Sequence, residues 1–370
     1  MAATERACSS ILLAALALPL AQPAQADTPP ERASIGYKYL DYLDFQPGWD
    51  RIGVQSHALA AVLPIAGKWS VEGTLVSDTV SGASPSYHSQ KFRSAEMRDQ
   101  RTGVDFRIAR FFPRGSFAFS VADSSESDYH SSAYSATGTW STESKNTTLT
   151  LGVGKTDDLV NATKVGVFKK PKVIYEGMLG VTQVLTKQDV VQVTMTYASG
   201  SGFFSDPYKY RDLRPDTKYT SIVLARWNHH FAATDGTTRL SYRYYRDSFD
   251  IRAHTLIAEY VQPVRGTWTV TPFLRLYAQS AAWFYLEPEN DPFPTFAPRG
   301  AIQSQDQRLS AFGGGSLGVK VAKYVTQDVL ADFRYERYEQ RGRWYPFGNR
   351  STGIDPFSAD IFQVGLTWFF

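Results

Sequence analysis

Nine charged residues punctuate stretches that are otherwise rich in apolar side chains: Asp105, Arg107, Arg226, Arg239, Arg243, Arg275, Asp332, Arg334 and Glu336. Asp105 sits between Val104 and Phe106, Arg243 between Tyr242 and Tyr244, Arg275 between Leu274 and Leu276, and Arg334 between Phe333 and Tyr335. In an extended chain successive side chains point to opposite faces. The charges therefore collect on one face and the apolar residues on the other. Two chemistries follow. Arginines around a water-filled passage favour anions. The same arginines paired across neighbouring strands with Asp105, Asp332 and Glu336 simply fill a polar interior.

Catalytic groupings are poorly served. Nucleophilic catalysis needs a Ser or Cys beside a base that a third group orients. His254, in Arg252-Ala253-His254-Thr255, is the one histidine placed for such a role, and no serine follows it at a catalytic spacing. His229 and His230 are adjacent, so on a strand they point to opposite faces and cannot share a metal. Asp206, Asp212 and Asp216, with Tyr208 and Tyr210 among them, could hold a divalent cation in a loop, but their spacing is not that of an EF-hand. That loop reads more simply as one packed by its own aromatics and by Arg–Asp pairs. No catalytic residue, no metal ligand set and no cofactor is expected. The single cysteine, Cys8, lies near the N-terminus.

The elements that must position these residues are strands. Val191, Val193, Met195 and Tyr197 alternate with Gln192, Thr194 and Thr196; Leu240, Tyr242 and Tyr244 alternate with Arg239, Ser241 and Arg243. This period-two pattern recurs in about sixteen stretches, roughly 33–43, 50–63, 68–78, 100–110, 116–127, 131–142, 146–154, 172–186, 189–199, 217–231, 237–248, 251–263, 267–279, 306–321, 327–339 and 359–370. Connections after even-numbered stretches are short and made of turn residues, such as Pro64-Ile65-Ala66-Gly67 and Thr234-Asp235-Gly236. Those after odd-numbered stretches are often long: 79–99, 155–171, 200–216, 280–305 and 340–358. A soluble β-sandwich also alternates, but it has no reason to sort its loops by strand parity. A closed antiparallel transmembrane β-barrel does, with short periplasmic turns and long extracellular loops.

Bulk properties agree with that fold class. Mean hydropathy is −0.30, as expected where a lipid face and a lumen face cancel. Aromatic residues make up 14% of the chain, enough for girdles at two membrane interfaces. The 39 basic and 36 acidic residues give a net charge of +3 without clustering, which argues against nucleic acid as a partner. Residues 1–26 read as a secretory signal: Arg6, an apolar run Ile11–Leu20 too short to span a bilayer, and Ala24-Gln25-Ala26 as the cleavage pattern. Cleavage there would leave a cysteine-free single domain, 27–370.

At the other end Phe362, Val364, Leu366, Trp368 and Phe370 share one face of the last stretch. A final strand that is apolar at every second position and stops at an aromatic resembles the closing strand of bacterial outer-membrane barrels, the segment that barrel-insertion machinery reads. Five further stretches carry a closer resemblance: Gly202-Phe203-Phe204-Ser205-Asp206-Pro207-Tyr208-Lys209, Arg214-Pro215-Asp216, Ser241-Tyr242-Arg243-Tyr244-Tyr245-Arg246-Asp247, Ser280-Ala281-Ala282-Trp283-Phe284-Tyr285, and Arg308-Leu309-Ser310-Ala311-Phe312-Gly313. Together they resemble the bacterial envelope family catalogued as domain of unknown function 3570, over nearly the whole mature chain. The resemblance implies an outer-membrane barrel with no established activity, in contact with outer-membrane lipid and lipopolysaccharide. Family members tend to sit near small lipoproteins and periplasmic redox or flavin-transfer proteins. Two functions are therefore expected in competition: a porin-like channel for small polar solutes, and a non-conducting barrel holding a small periplasmic lipoprotein or redox partner.

Overall fold

The computed structural model describes residues 28–46, 49–82, 97–209, 212–264, 266–287, 301–352 and 355–370. The signal expected at 1–26 lies outside the described residues, as do Tyr210 and the greater part of two long connections, 83–96 and 288–300.

Sixteen strands account for most of the chain. The first eight are β1 (Ser34–Gln46), β2 (Trp49–Ile65), β3 (Trp69–Gly82), β4 (Met97–Phe112), β5 (Gly115–Ser125), β6 (Tyr129–Ser141), β7 (Thr147–Val160) and β8 (Lys170–Val184). The second eight are β9 (Asp189–Gly202), β10 (Thr217–Phe231), β11 (Gly236–Asp247), β12 (Arg252–Val264), β13 (Trp268–Gln279), β14 (Phe312–Tyr324), β15 (Val329–Arg341) and β16 (Phe357–Phe369). Each strand pairs with its neighbours in sequence, and β16 returns to β1 to close the ring. The seam is fully antiparallel, from Ser34 opposite Phe369 to Phe45 opposite Ser358. Just beyond it Ala33 and Phe370 exchange backbone hydrogen bonds of 3.0 and 2.9 Å. Closure leaves no sheet edge, and hydrocarbon has no water to satisfy one.

The outer face is predominantly apolar. Phe362, Val364, Leu366, Trp368 and Phe370 are each 45–52% exposed, a costly display in water and a favourable one in lipid. Two aromatic belts border this surface. Phe112, Phe117, Trp140, Trp227, Phe231, Trp268 and Trp368 stand toward the short turns, while Tyr134, Tyr175, Tyr197, Tyr219, Tyr242 and Phe362 stand toward the long loops. Tyr219 and Trp227 are eight positions apart, roughly 26 Å along a strand at about 3.3 Å per residue. With a tilt of about 40° that span becomes roughly 20 Å, close to the apolar band of about 25 Å that such barrels present. Basic side chains lie over the belt at the short-turn end: Arg110 is 5.1 Å from the Trp69 ring, Arg114 5.0 Å from Trp140 and Lys323 4.7 Å from Trp268. Long cationic side chains reach from such positions toward water.

Loop parity is as the sequence implies. Connections after even-numbered strands have two to five residues, whereas those after β9, β13 and β15 run 203–216, 280–311 and 342–356. The β2–β3 turn places Ala66 (φ 51°) and Gly67 (φ 63°) both in the left-handed region, the conformation that joins two twisted strands in the fewest residues. One expected stretch is corrected. Residues 306–321 do not begin as a strand, because Asp306 accepts a hydrogen bond from the Arg308 amide and caps a single 3-10 turn, Gln307–Leu309. The strand β14 starts only at Phe312.

Candidate functional site

All nine charged residues singled out by pattern fall on the face opposite the exposed apolar row, so they look into the barrel. They form two sets. On one side of the interior the charges are paired. Asp332 lies 4.0 Å from Lys38 and 3.8 Å from Lys320, Arg334 is 2.8 Å from Glu336, and the Arg334 guanidinium stacks 4.1 Å from the Phe273 ring centre. Arg107 meets Glu72 at 3.9 Å, while Asp105 is flanked across the sheet by Thr74 and Ala122.

The other set is an arc on β10, β11 and β13: Arg226, Arg239, Arg243 and Arg275. Among the described residues none of these four makes an ion pair. Arg226 donates to Gln192 at 3.4 Å, Arg243 lies over the Tyr245 ring at 5.3 Å, Arg239 stands opposite Asn228 and Glu259, and Arg275 stands opposite Ile257 and Ser316. The arginines thus form an arc on neighbouring strands, not a ring; the paired inward acids named above, Asp332, Glu336 and Glu72, lie on β15 and β3.

A third feature of the interior is apolar. Leu40, Tyr42, Ile52, Val54, Ala58, Val76, Val80, Ala359 and Ile361 pack as one buried cluster. They alternate with the exposed residues of β1, β2, β3 and β16, so this cluster belongs to the inner wall.

The long-loop end holds the most tightly bonded group of side chains. Asp206 and Asp306 are 1% and 0% exposed. Arg308 links them: its Nε donates to both Asp306 carboxylate oxygens at 2.8 and 2.7 Å, its Nη2 donates again to Asp306, and the same Nη2 reaches Asp206 Oδ2 at 2.6 Å. Arg214 repeats the arrangement, with Nε to Asp212 at 2.8 and 3.0 Å and Nη2 to Asp306 Oδ2 at 2.7 Å. Lys209 Nζ reaches Gln307 Oε1 at 3.4 Å beside them. Three carboxylates, two guanidiniums and one ammonium make the group neutral as a whole.

Burial works against each of these charges, and the geometry decides which of them keep it. At Asp306 burial favours the neutral acid, but Arg308, Arg214 and Lys209 override it and hold the carboxyl well below the usual range. At Asp206 burial is likewise outweighed by Arg308, and the group is lowered. At Asp212 burial prevails over Arg214 and raises the group. Lys209 is lowered by burial, against the pull of Asp306.

Apolar packing surrounds the ionic group. Phe249, Ile251, Ala282, Phe284 and Leu309 form a buried cluster with Phe204, Tyr245 and Tyr285 against it. The Phe249 ring meets Phe204 and Phe284 edge-on at 6.2 and 5.0 Å. Leu213 and Gln303 exchange two backbone hydrogen bonds of 2.9 Å. Connections after β9, β11 and β13 are therefore fastened into one cap. The five stretches that carry the family resemblance converge here: 202–209 supplies Phe204 and Asp206, 214–216 supplies Arg214, 241–247 supplies Tyr245, 280–285 supplies Ala282 and Phe284, and 308–313 supplies Arg308 and Leu309.

Two of the three loop carboxylates weighed as cation ligands are thus taken by arginines: Asp206 by Arg308 and Asp212 by Arg214. His254 is on the outer face, its Nδ1 2.6 Å from the Tyr242 hydroxyl and its ring against Tyr244 and Phe347, an aromatic-belt setting with no serine or carboxylate at its nitrogens among the described residues. His229 and His230 separate as expected, the first to Asp189 at 2.8 Å and the second toward Thr237. Asp306 and Arg308 escaped the sequence reading because an Asp-Gln-Arg spacing inside an alternating stretch looks like strand.

Solved structures agree on the architecture. A bacterial polysaccharide outer-membrane secretin is 10% identical over 91% of this chain and 98% of that one, with a TM-score of 0.51. CdiB from Acinetobacter baumannii is 9% identical over 90% of this chain, with a TM-score of 0.51, and the chain spans 60% of CdiB. At these identities the likeness is one of fold. No curated protein sequence matches the chain. The closed sixteen-strand ring with its girdled apolar exterior is an outer-membrane β-barrel. More narrowly, the chain belongs to the family described as Protein of unknown function (DUF3570), whose model matches residues 8–170 and 166–354.

Proposed function

We propose that the protein is a porin-like channel for small polar solutes, with a weak preference for anions. The observation that carries this reading is the arginine arc. Arg226, Arg239, Arg243 and Arg275 face the interior of a sixteen-strand ring and make no ion pair among the described residues, Arg239 having Glu259 opposite it. Rings of this strand number enclose an aqueous passage unless something fills them, and unpaired guanidiniums along such a passage attract anions. The short turns face the periplasm and the capped loops face outward, as parity assigns them in proteins of this class.

Incorporation of the purified barrel into a planar bilayer tests the proposal. Discrete conductance steps are expected, with a reversal potential on the anion side in a salt gradient. Replacing Arg239 and Arg243 together by Gln should move that potential toward the cation side. The absence of any steps would refute the channel.

A second reading has its own support. The inner-wall cluster around Leu40, Val54 and Ile361 is apolar, and a purely aqueous pore has no use for it. A barrel that holds a small lipoprotein or redox partner in its lumen would. Such a barrel would be silent in the bilayer and would retain its partner when isolated gently from cells.

A further inference from the structure

A second ionic feature at the long-loop end gathers three acidic residues. The strand β4 begins at Met97, five residues before its first pairing with β5, which is Thr102 opposite Ser125. Asp99, on the inward face of that overhang, therefore stands beside the tight β5–β6 turn, residues 126–128. That turn is held by the Glu126 amide on the Tyr129 carbonyl at 2.8 Å and by the Asn161 amide on the Asp128 carbonyl at 2.7 Å. Its two acids, Glu126 and Asp128, converge on Asp99, and one carboxylate oxygen from each residue lies within 4.8 Å of the others.

Two of the carboxylates are buried and incompletely satisfied. Asp99 is 8% exposed and Asp128 6%. Asp99 Oδ1 accepts from the Gln100 amide, but its Oδ2 is buried with no hydrogen-bond donor among the described residues; Asp128 Oδ2 accepts from Tyr208 Oη at 2.5 Å, but its Oδ1 is buried with none. Neither aspartate makes an ion pair among the described residues. Arg101, two positions along β4 from Asp99, is engaged by Asp78 at 2.7 Å. Buried carboxylate oxygens without donors are costly to leave bare, and like charges gathered in one site repel each other. A shared cation answers both needs.

We propose that Asp99, Glu126 and Asp128 bind a hard divalent cation, with calcium as the best fit. The donor set is all oxygen, which suits calcium or magnesium and not a softer metal. Calcium bonds of about 2.4 Å let one ion bridge oxygens up to roughly 4.8 Å apart, whereas magnesium bonds of about 2.1 Å require a tighter cluster. The ion has a structural consequence. Asp128 also receives Tyr208, which follows Asp206 by two residues in the loop cap, so the cation braces the β5–β6 side of the barrel rim against the cap. This holds whether the barrel conducts or is filled.

The test uses the folded full-length barrel in detergent. Terbium is titrated as a calcium probe, with emission excited through nearby tyrosines such as Tyr208 and Tyr129, and calcium is then added to displace it. One saturable, calcium-displaceable ion per chain is expected. Asp99→Asn and Asp128→Asn should each weaken binding by at least about tenfold, as loss of a charged ligand does, while Glu143→Gln at the opposite end should leave it unchanged. Hydrogen exchange of the wild type, with and without calcium, locates the ion even where a variant fails to fold: amides of residues 126–129 should exchange more slowly with calcium. Absence of saturable binding, unchanged affinity in both aspartate variants, or exchange at 126–129 that ignores calcium would each overturn the assignment.

Discussion

Replacing Arg308 by Met isolates the claim that an ionic lock holds the loop cap shut. Arg308 donates to Asp306 through two nitrogens and to Asp206 through one of them, and both carboxylates are essentially inaccessible to water. Removing one partner of a buried ion pair costs about 3–5 kcal/mol, because the remaining charge is left uncompensated. Here Arg214 still reaches Asp306 at 2.7 Å, so the lower end of that range applies, about 3 kcal/mol. At about 1.4 kcal/mol per tenfold, the population with the cap open should rise roughly a hundredfold. The barrel itself should be unaffected, since its ladder hydrogen bonds do not involve these side chains. The assay introduces Ala282→Cys as a reporter, at a position 4% exposed within the cap. The mature chain expected from the sequence has no other cysteine, so the labelling rate by a water-soluble maleimide reports opening directly. Arg308→Met in the reporter background should label about a hundred times faster than the reporter alone. Adding Asp206→Asn and Asp306→Asn should recover much of that loss by removing the stranded charges. Labelling within threefold of the reporter alone, or faster labelling after the two asparagine substitutions are added to Arg308→Met, would refute the lock.

Three further outcomes follow from the same geometry. Deleting Phe370 removes the two backbone bonds to Ala33 and an exposed aromatic at the seam, so heat-modifiable folded barrel recovered from cell envelopes should fall severalfold. Leu317→Arg, on the outer face at 66% exposure, should destabilise the barrel in bilayers by about 2–4 kcal/mol in urea unfolding, whereas Thr194→Arg on the inner face should cost much less. The cap should tolerate acid and open in base. Asp206 and Asp306 are lowered, so their contribution is complete above about pH 4 and is lost only as pH falls further; Asp212 is raised and has the opposite sign, so it does not weaken the cap on mild acidification. Tyr208 and Tyr285 are raised, by burial first and then by Asp128 and Glu287, so their contribution is complete below about pH 10 and is lost above it; Lys209 is lowered by burial and has the opposite sign, its gain being complete by about pH 10, so above that pH the tyrosines decide. Maleimide labelling of the Ala282→Cys reporter across pH, normalised to a free thiol, checks both limbs.

Strand number, strand parity and the lipid-facing surface were legible in the sequence because they are local. Whether a side chain faces lipid or lumen is fixed by its position modulo two along its own strand, and Phe362 to Phe370 declare that alternation within nine residues. The inward direction of Arg243 or Asp332 follows from the same rule, and so does the separation of His229 from His230. Which inward charges find partners does not. Asp332 meets Lys38 because β1 and β16 close the ring, while Arg226, Arg239, Arg243 and Arg275 stay without ion pairs among the described residues because the strands beside them carry few acids. The cap and the acidic rim site lie further still from sequence. Asp206 and Arg308 are separated by 102 positions, and Tyr208 and Asp128 by 80. Only closure of the barrel brings those loop ends over one opening, and there burial turns ordinary surface aspartates into charges that must be matched.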